Sequence, residues 1–236
     1  MIFFIKRIFA LFFCIFSVSF IYAGEKFKLN DSQCIGTQVN DINLDVYITD
    51  CNKKIRKIDS IEVPDDIARV EYVFSKDKKI YIAYSYNEDY RDYSKNYNYV
   101  DKYFLINSYD CNENSYCKYN FLVSNYFGGG GDILNRKTKK IVYNYPYSKK
   151  EFLIKEIQSK RFGEWFNGKL TNGKVVRKTF INDVNNFSTE HKGYLVKGDS
   201  FLVDEISSGW LRVKYKNKVG KITRGWINCK DTNICD

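Results

Sequence analysis

Apolar and polar residues alternate with a period of two along most of this chain. Successive side chains of a strand point to opposite faces, so such runs are written for half-buried sheet rather than for helix. Leu44-Asp45-Val46-Tyr47-Ile48 is the first. Residues 68–74 and 79–86, parted by Ser75-Lys76-Asp77-Lys78, predict a hairpin. Residues 102–108 and 118–124 predict a second, and 140–145 with 151–157 a third, turned through Pro146-Tyr147-Ser148. Residues 152–160 also fit a short helix. The 20 tyrosines and 18 phenylalanines favour strands, and only two prolines stand in the way of a ladder. The expected class is all-β: an N-terminal antiparallel sheet domain, either a sandwich or a curved meander, followed by a smaller C-terminal unit.

The first 23 residues read as a secretory signal. Lys6 and Arg7 precede the apolar run 8–22, which ends at the small residue Ala23. The run is shorter than the roughly 20 residues of a spanning helix, and no later stretch is apolar enough to cross a bilayer. Cys14 lacks the small-residue setting of a lipoprotein cysteine. The expectation is an exported chain, periplasmic in a double-membraned host, with no span after cleavage.

Cleavage leaves Cys34, Cys51, Cys111, Cys117, Cys229 and Cys235. An even number in an oxidising compartment predicts disulfides. Sequence spacing favours Cys34–Cys51, Cys111–Cys117 and Cys229–Cys235, each a local clip contributing roughly 2–3 kcal/mol by loop entropy. A metal site is disfavoured, because no CxxC pair occurs and the single histidine, His191, is remote from every cysteine. The whole chain carries +10; without Lys6 and Arg7, 36 basic residues face 28 acidic ones. That excess suits anionic envelope polymers, lipid headgroups or acidic proteins, in salt-sensitive contacts. Export argues against nucleic acid.

Three segments interrupt the alternation. Residues 89–98, polar and tyrosine-rich, read as an exposed loop. The run 128–131 is four glycines without the Lys-Ser/Thr of a phosphate loop, and reads as a flexible turn. Asn167-Gly168 and Asn172-Gly173 read as a tight turn and a connector. The expected domains are therefore 24–173 and 174–236.

Past residue 174 come Lys197-Gly198-Asp199, then Phe201-Leu202-Val203, then Gly209-Trp210-Leu211-Arg212-Val213-Lys214-Tyr215, and finally Gly220-Lys221-Ile222-Thr223-Arg224-Gly225-Trp226-Ile227. This succession resembles the bacterial SH3-type (SH3b) family: a Lys-Gly-Asp turn, a Gly-Trp strand of alternating character, and a closing Gly-Trp-Ile. It covers about a quarter of the chain, and residues 177–188 depart from the family pattern. The resemblance implies a small barrel that recognises cell-wall peptides or other ligands, often attached to wall hydrolases. The candidate ligand-binding residues are Tyr194, Trp210, Arg212, Lys214, Tyr215 and Trp226. Independently, Leu211, Val213 and Tyr215 alternate with Arg212, Lys214 and Lys216, giving one packing and one basic face. The competing reading makes both tryptophans core and the basic strand a solvated surface.

No catalytic apparatus accompanies this segment. A cysteine peptidase needs a free thiol with a histidine, a serine triad would have to borrow His191, and a zinc amidase needs several histidines. Paired carboxylates drawn from Glu71, Glu88, Asp89, Asp92, Asp132 and Glu164 remain as an enzyme alternative. The favoured expectation is a non-enzymatic envelope protein, without cofactor, binding wall peptide or glycan or an envelope protein. The alternatives are a periplasmic immunity or inhibitor protein that neutralises a toxin, and a carboxylate-dependent hydrolase.

Overall fold

A computed structural model describes residues 24–63, 66–87, 96–112, 116–187 and 191–235. The expected signal, most of the tyrosine-rich segment and residues 113–115 between Cys111 and Cys117 lie outside the described residues.

Three antiparallel sheets account for most of the chain, which places it in the expected all-β class. The first is a meander of β1 (Lys26–Lys28), β2 (Cys34–Asn40), β3 (Asn43–Thr49) and β4 (Lys54–Glu62). The second contains β5 (Arg69–Lys76), β6 (Lys79–Asn87), the 15-residue β7 (Tyr97–Cys111), β8 (Cys117–Tyr119), β9 (Gly129–Asn135) and β10 (Lys140–Tyr143). Its order is β10-β9-β7-β6-β5, with β8 paired to the far end of β7. The β5–β6 hairpin turns on Asp77 and Lys78, both at positive φ, the backbone that matches strand twist. The three expected disulfides are present; Cys34–Cys51 closes the open end of the β2–β3 hairpin.

Strand β6 is buried on both faces, so it forms the middle of a layered structure. Ile80, Ile82 and Tyr84 pack with Ile35, Val46 and Ile48 of the first sheet. Tyr81 and Ala83 face the opposite way, into a second core shared with helices and the third sheet. Between the first two layers, Asp59 of β4 accepts hydrogen bonds from Tyr84 Oη (3.0 Å), Asn107 Nδ2 (3.1 Å) and Tyr109 Oη.

The second expected hairpin keeps only a three-residue second arm, paired with the end of β7, and the third has none. Residues 118–124 hold only the short β8 before α1 (Phe121–Phe127) begins. Asn120 caps that helix by accepting from the Val123 N–H at 2.9 Å, and Val123, Tyr126 and Phe127 fall on its buried side at helical spacing. Residues 151–157 lie in α2 (Lys150–Ile157), followed by α3 (Lys160–Phe166), which Ser159 caps. The short-helix reading of residues 152–160 matches α2; the third hairpin does not form. The glycine run is no flexible turn either. Gly128 closes α1 at φ 55°, and the next three glycines open β9. A Cβ on Gly129 or Gly130 would lie 2.7 or 2.9 Å from the rings of Tyr103 or Tyr145, so these glycines let aromatic rings rest on the backbone.

The third sheet comprises β11 (Asn172–Lys174), β12 (Thr179–Asn182), β13 (His191–Leu195), β14 (Ser200–Ser207), β15 (Trp210–Lys216) and β16 (Ile222–Asn228), in the order β11-β14-β15-β16-β12-β13. Asn172-Gly173, expected as a connector, pairs with Phe201 and Leu202 inside this sheet. The β14–β15 turn, Ser208-Gly209, is driven into the central layer. Ser208 N–H donates to Tyr126 O (3.1 Å), Ser208 Oγ to Gly129 O (2.8 Å), and Tyr143 Oη donates to Ser208 O.

Acid should loosen the first two sheets. Asp45 is held below its ordinary 3.8 mainly by the hydrogen bond from Lys57, then by that from Ser60. Burial alone would raise Glu71, but Lys102 and Ser85 hold it below its ordinary 4.5. Both folded values are depressed, so the stabilisation is present above the unfolded values and is lost as pH falls through the folded ones. The urea midpoint should therefore drop as pH is lowered below about 4.5, and less steeply in Asp45→Asn. A midpoint unchanged down to pH ~3 would contradict this.

Candidate functional site

The alternation along β15 points Leu211 and Val213 to one face and Trp210, Arg212, Lys214 and Lys216 to the other; Trp210, at the strand's start, is buried in the shared core all the same. Register carries this second face across the sheet, because directly paired residues project to the same side. On β16, Trp226 stands opposite Arg212, Arg224 opposite Lys214 and Ile222 opposite Lys216. Asn182 of β12 is paired with Trp226; on β13, His191 is paired with Asn182 and Tyr194 with Phe180. Tyr194, Trp210, Arg212, Lys214 and Trp226, distant in sequence, thus share one surface.

Tyr215 does not join them. It points with Leu211 and Val213, and burial followed by the neighbouring Asp199 raises its phenol above the ordinary value. Trp210 has the right face but no free ring surface. It is 2 % exposed, with Tyr143 at 5.7 Å and Phe187 edge-on at 5.3 Å between ring centroids. These two residues pack the protein where ligand contact was expected of them. Trp226 is half-buried, Arg212 is exposed and Lys214 is partly so.

The charge on the face is predominantly positive. Arg212 meets Glu205 at 3.5 Å and Arg224 meets Asp204 at 4.0 Å, both in exposed pairs that contribute little and exchange easily. Lys214 and Lys216 enter no ion pair among the described residues. Beside this basic strip, β12 and β13 carry an aromatic arm of which the sequence reading named only Tyr194. Phe180 is 45 % and Tyr194 57 % exposed. Lys178 Nζ lies 4.4 Å from the Tyr194 ring centroid, and His191 stacks on Phe180 at 4.3 Å. His191 is fixed there by a 2.8 Å hydrogen bond between Nδ1 and Asn182 Oδ1. A pocket of about 260 Å³ opens at the foot of this arm, reaching Phe180, His191, Asn182 and the edge of Trp210. Phe180 had a signal in the alternating run Lys178-Thr179-Phe180-Ile181, which falls in the stretch that departs from the family pattern.

Of the carboxylates considered for catalysis, the three among the described residues each have a partner. Glu71 is held by Lys102 and Ser85, Asp132 accepts from Asn144 Nδ2 and the Tyr145 N–H, and Glu164 faces Lys160. Glu88, Asp89 and Asp92 lie outside the described residues. No cluster of three or more potential metal ligands occurs, and no helix is long and apolar enough to cross a membrane, among the described residues. The arrangement of exposed rings beside guanidinium and ammonium groups is suited to holding a ligand that combines apolar surface with negative charge. No family model, curated protein or solved structure matches the chain.

Proposed function

We propose that this chain is an exported, non-enzymatic binding protein of the bacterial cell envelope that holds wall peptide or glycan on the outer face of an SH3-like C-terminal barrel. The observation that carries the reading is the gathering of Arg212, Lys214, Arg224, Trp226, Phe180 and Tyr194 on one accessible face. Wall polymer offers both kinds of group such a face accepts: sugar C–H surfaces that lie on aromatic rings, and peptide carboxylates that pair with arginine and lysine. The barrel reading is supported by the antiparallel order β11-β14-β15-β16-β12-β13, in which the two Gly-Trp strands β15 and β16 pair along their whole length. Export to the periplasm is supported by the leader-like start and by three disulfides.

Retention of the mature, oxidised protein on purified peptidoglycan sacculi tests this, at low and at high salt. Retention should weaken with salt and fall about tenfold in the combined Tyr194→Ala, Arg212→Ala, Lys214→Ala variant, whose substituted side chains are all partly or fully exposed. Failure to bind sacculi at either salt, with one protein co-purifying from envelope extract instead, would replace this reading by the inhibitor or immunity role.

A further inference from the structure

A second and larger cleft of about 710 Å³, which borders the pocket below the aromatic arm along Tyr143, Asn144, Asn228 and Lys230, lies between the helical layer and the loop closed by Cys229–Cys235. Its size is that of a pocket for a small organic ligand, and it lies at a junction of structural layers, where such pockets recur. One wall is α2 and α3, which bring Lys155 and Arg161; the other brings Lys230 from the short helix after β16. Pro146, Phe152 and Leu170 add apolar surface.

The charges are unevenly matched. Glu156, 7 % exposed at its side chain, is occupied by Arg161 and by the hydroxyl of Tyr126. Glu164 is within 3.5 Å of Lys160. Lys155 and Lys230, on opposite walls, enter no ion pair among the described residues. Arg161 is held in one orientation by two nitrogens on Glu156, while its Nη1 has only a 3.5 Å contact with Ile234 O. A guanidinium fixed in place with a weakly engaged donor, in a cleft lined also by two ammonium groups outside any ion pair among the described residues, is organised for an anion before any anion arrives.

We infer that this cleft is a second binding site, separate from the outer face of the C-terminal sheet, for a small carboxylate-bearing ligand whose acid group meets Arg161 between Lys155 and Lys230. The apolar wall would cover the remainder of the ligand. A carboxylated amino sugar and an acidic peptide fragment share this chemistry.

Isothermal titration of the intact mature protein with three probes tests the inference: N-acetylmuramic acid, its neutral counterpart N-acetylglucosamine, and an alanyl-glutamate dipeptide. At least one carboxylated probe should bind saturably at one equivalent while the neutral sugar does not, and the probe that binds names the source of the ligand. The double variant Lys155→Gln, Lys230→Gln, which alters exposed side chains, should weaken that binding about tenfold. Arg212→Ala should leave it unchanged, which separates this site from the wall-binding face. Silence from both carboxylated probes, equal binding of the neutral sugar, an unaltered affinity in the lysine variant or an equal loss in Arg212→Ala would each overturn the inference.

Discussion

Glu156→Ala is expected to destabilise the protein by about 3–5 kcal/mol, the cost of stranding one half of a buried ion pair. The carboxylate accepts from Arg161 through two nitrogens and from Tyr126 Oη, and Ser159 Oγ approaches it at 3.4 Å. Its loss leaves a guanidinium only 22 % exposed without a counter-charge and a buried phenol without an acceptor. Tyr126 also packs on Phe127, Phe162 and Trp165, so the disturbance lands where α1 and α3 meet. Removing both charges is a different experiment. Glu156→Leu with Arg161→Met exchanges the pair for apolar volume and should cost much less than Glu156→Ala alone, because no stranded charge remains. Urea denaturation of Glu156→Leu, Arg161→Met and the double variant forms a cycle that measures the coupling directly. Additive effects would show that the pair is not coupled and that the helical layer draws its stability from ring packing alone.

Those helices also mark where sequence reasoning reached its limit. The β5–β6 hairpin was legible because its alternation spans eight or nine residues per arm and its two-residue turn is short and polar. Helices α1 and α3 have seven residues each, too few for a 3.6-residue period to outweigh a strand-like composition. The better signal was at their starts, where Asn120 and Ser159 cap the backbone, and α2 lacks even that, since Lys149 makes no side-chain cap. For the site, the two faces of β15 could be read locally, and Arg212 and Lys214 lie where the alternation put them. The aromatic arm could not be read so directly, because it depends on the pairing of β12 with β16 and on a register shift between Ile181 and Asn182. Trp210 shows the same limit from the opposite side. Its covering residue Tyr143 belongs to β10, more than sixty positions earlier, so no local pattern distinguishes a ligand-binding tryptophan from a buried one.

The burial of Trp210 also separates the two tryptophans in their expected behaviour. Trp210→Ala should cost about 3–5 kcal/mol, the range for deleting a fully buried large ring. The site is a poor candidate for collapse. Tyr143 on one side is tied by its hydroxyl to the backbone of Ser208, and the turn beside Trp210 is fixed to Tyr126 and Gly129 by the Ser208 amide and hydroxyl. With its neighbours held from several directions, most of the vacated volume stays empty, and the cavity contribution adds to the lost transfer energy. In a chain of this length that loss should lower the melting temperature by about 10 °C. Trp226, half-buried on the open part of the same face, loses less contact when truncated, so Trp226→Ala should lower it by appreciably less while reducing retention on sacculi. Thermal melts of both variants, paired with sacculus binding, therefore give opposite rankings: Trp210 first in stability, Trp226 first in binding once each protein is held well below its own transition. The reverse order would mean that the ligand engages the seam between the C-terminal sheet and the central layer, where Trp210 is now packed, rather than the open face.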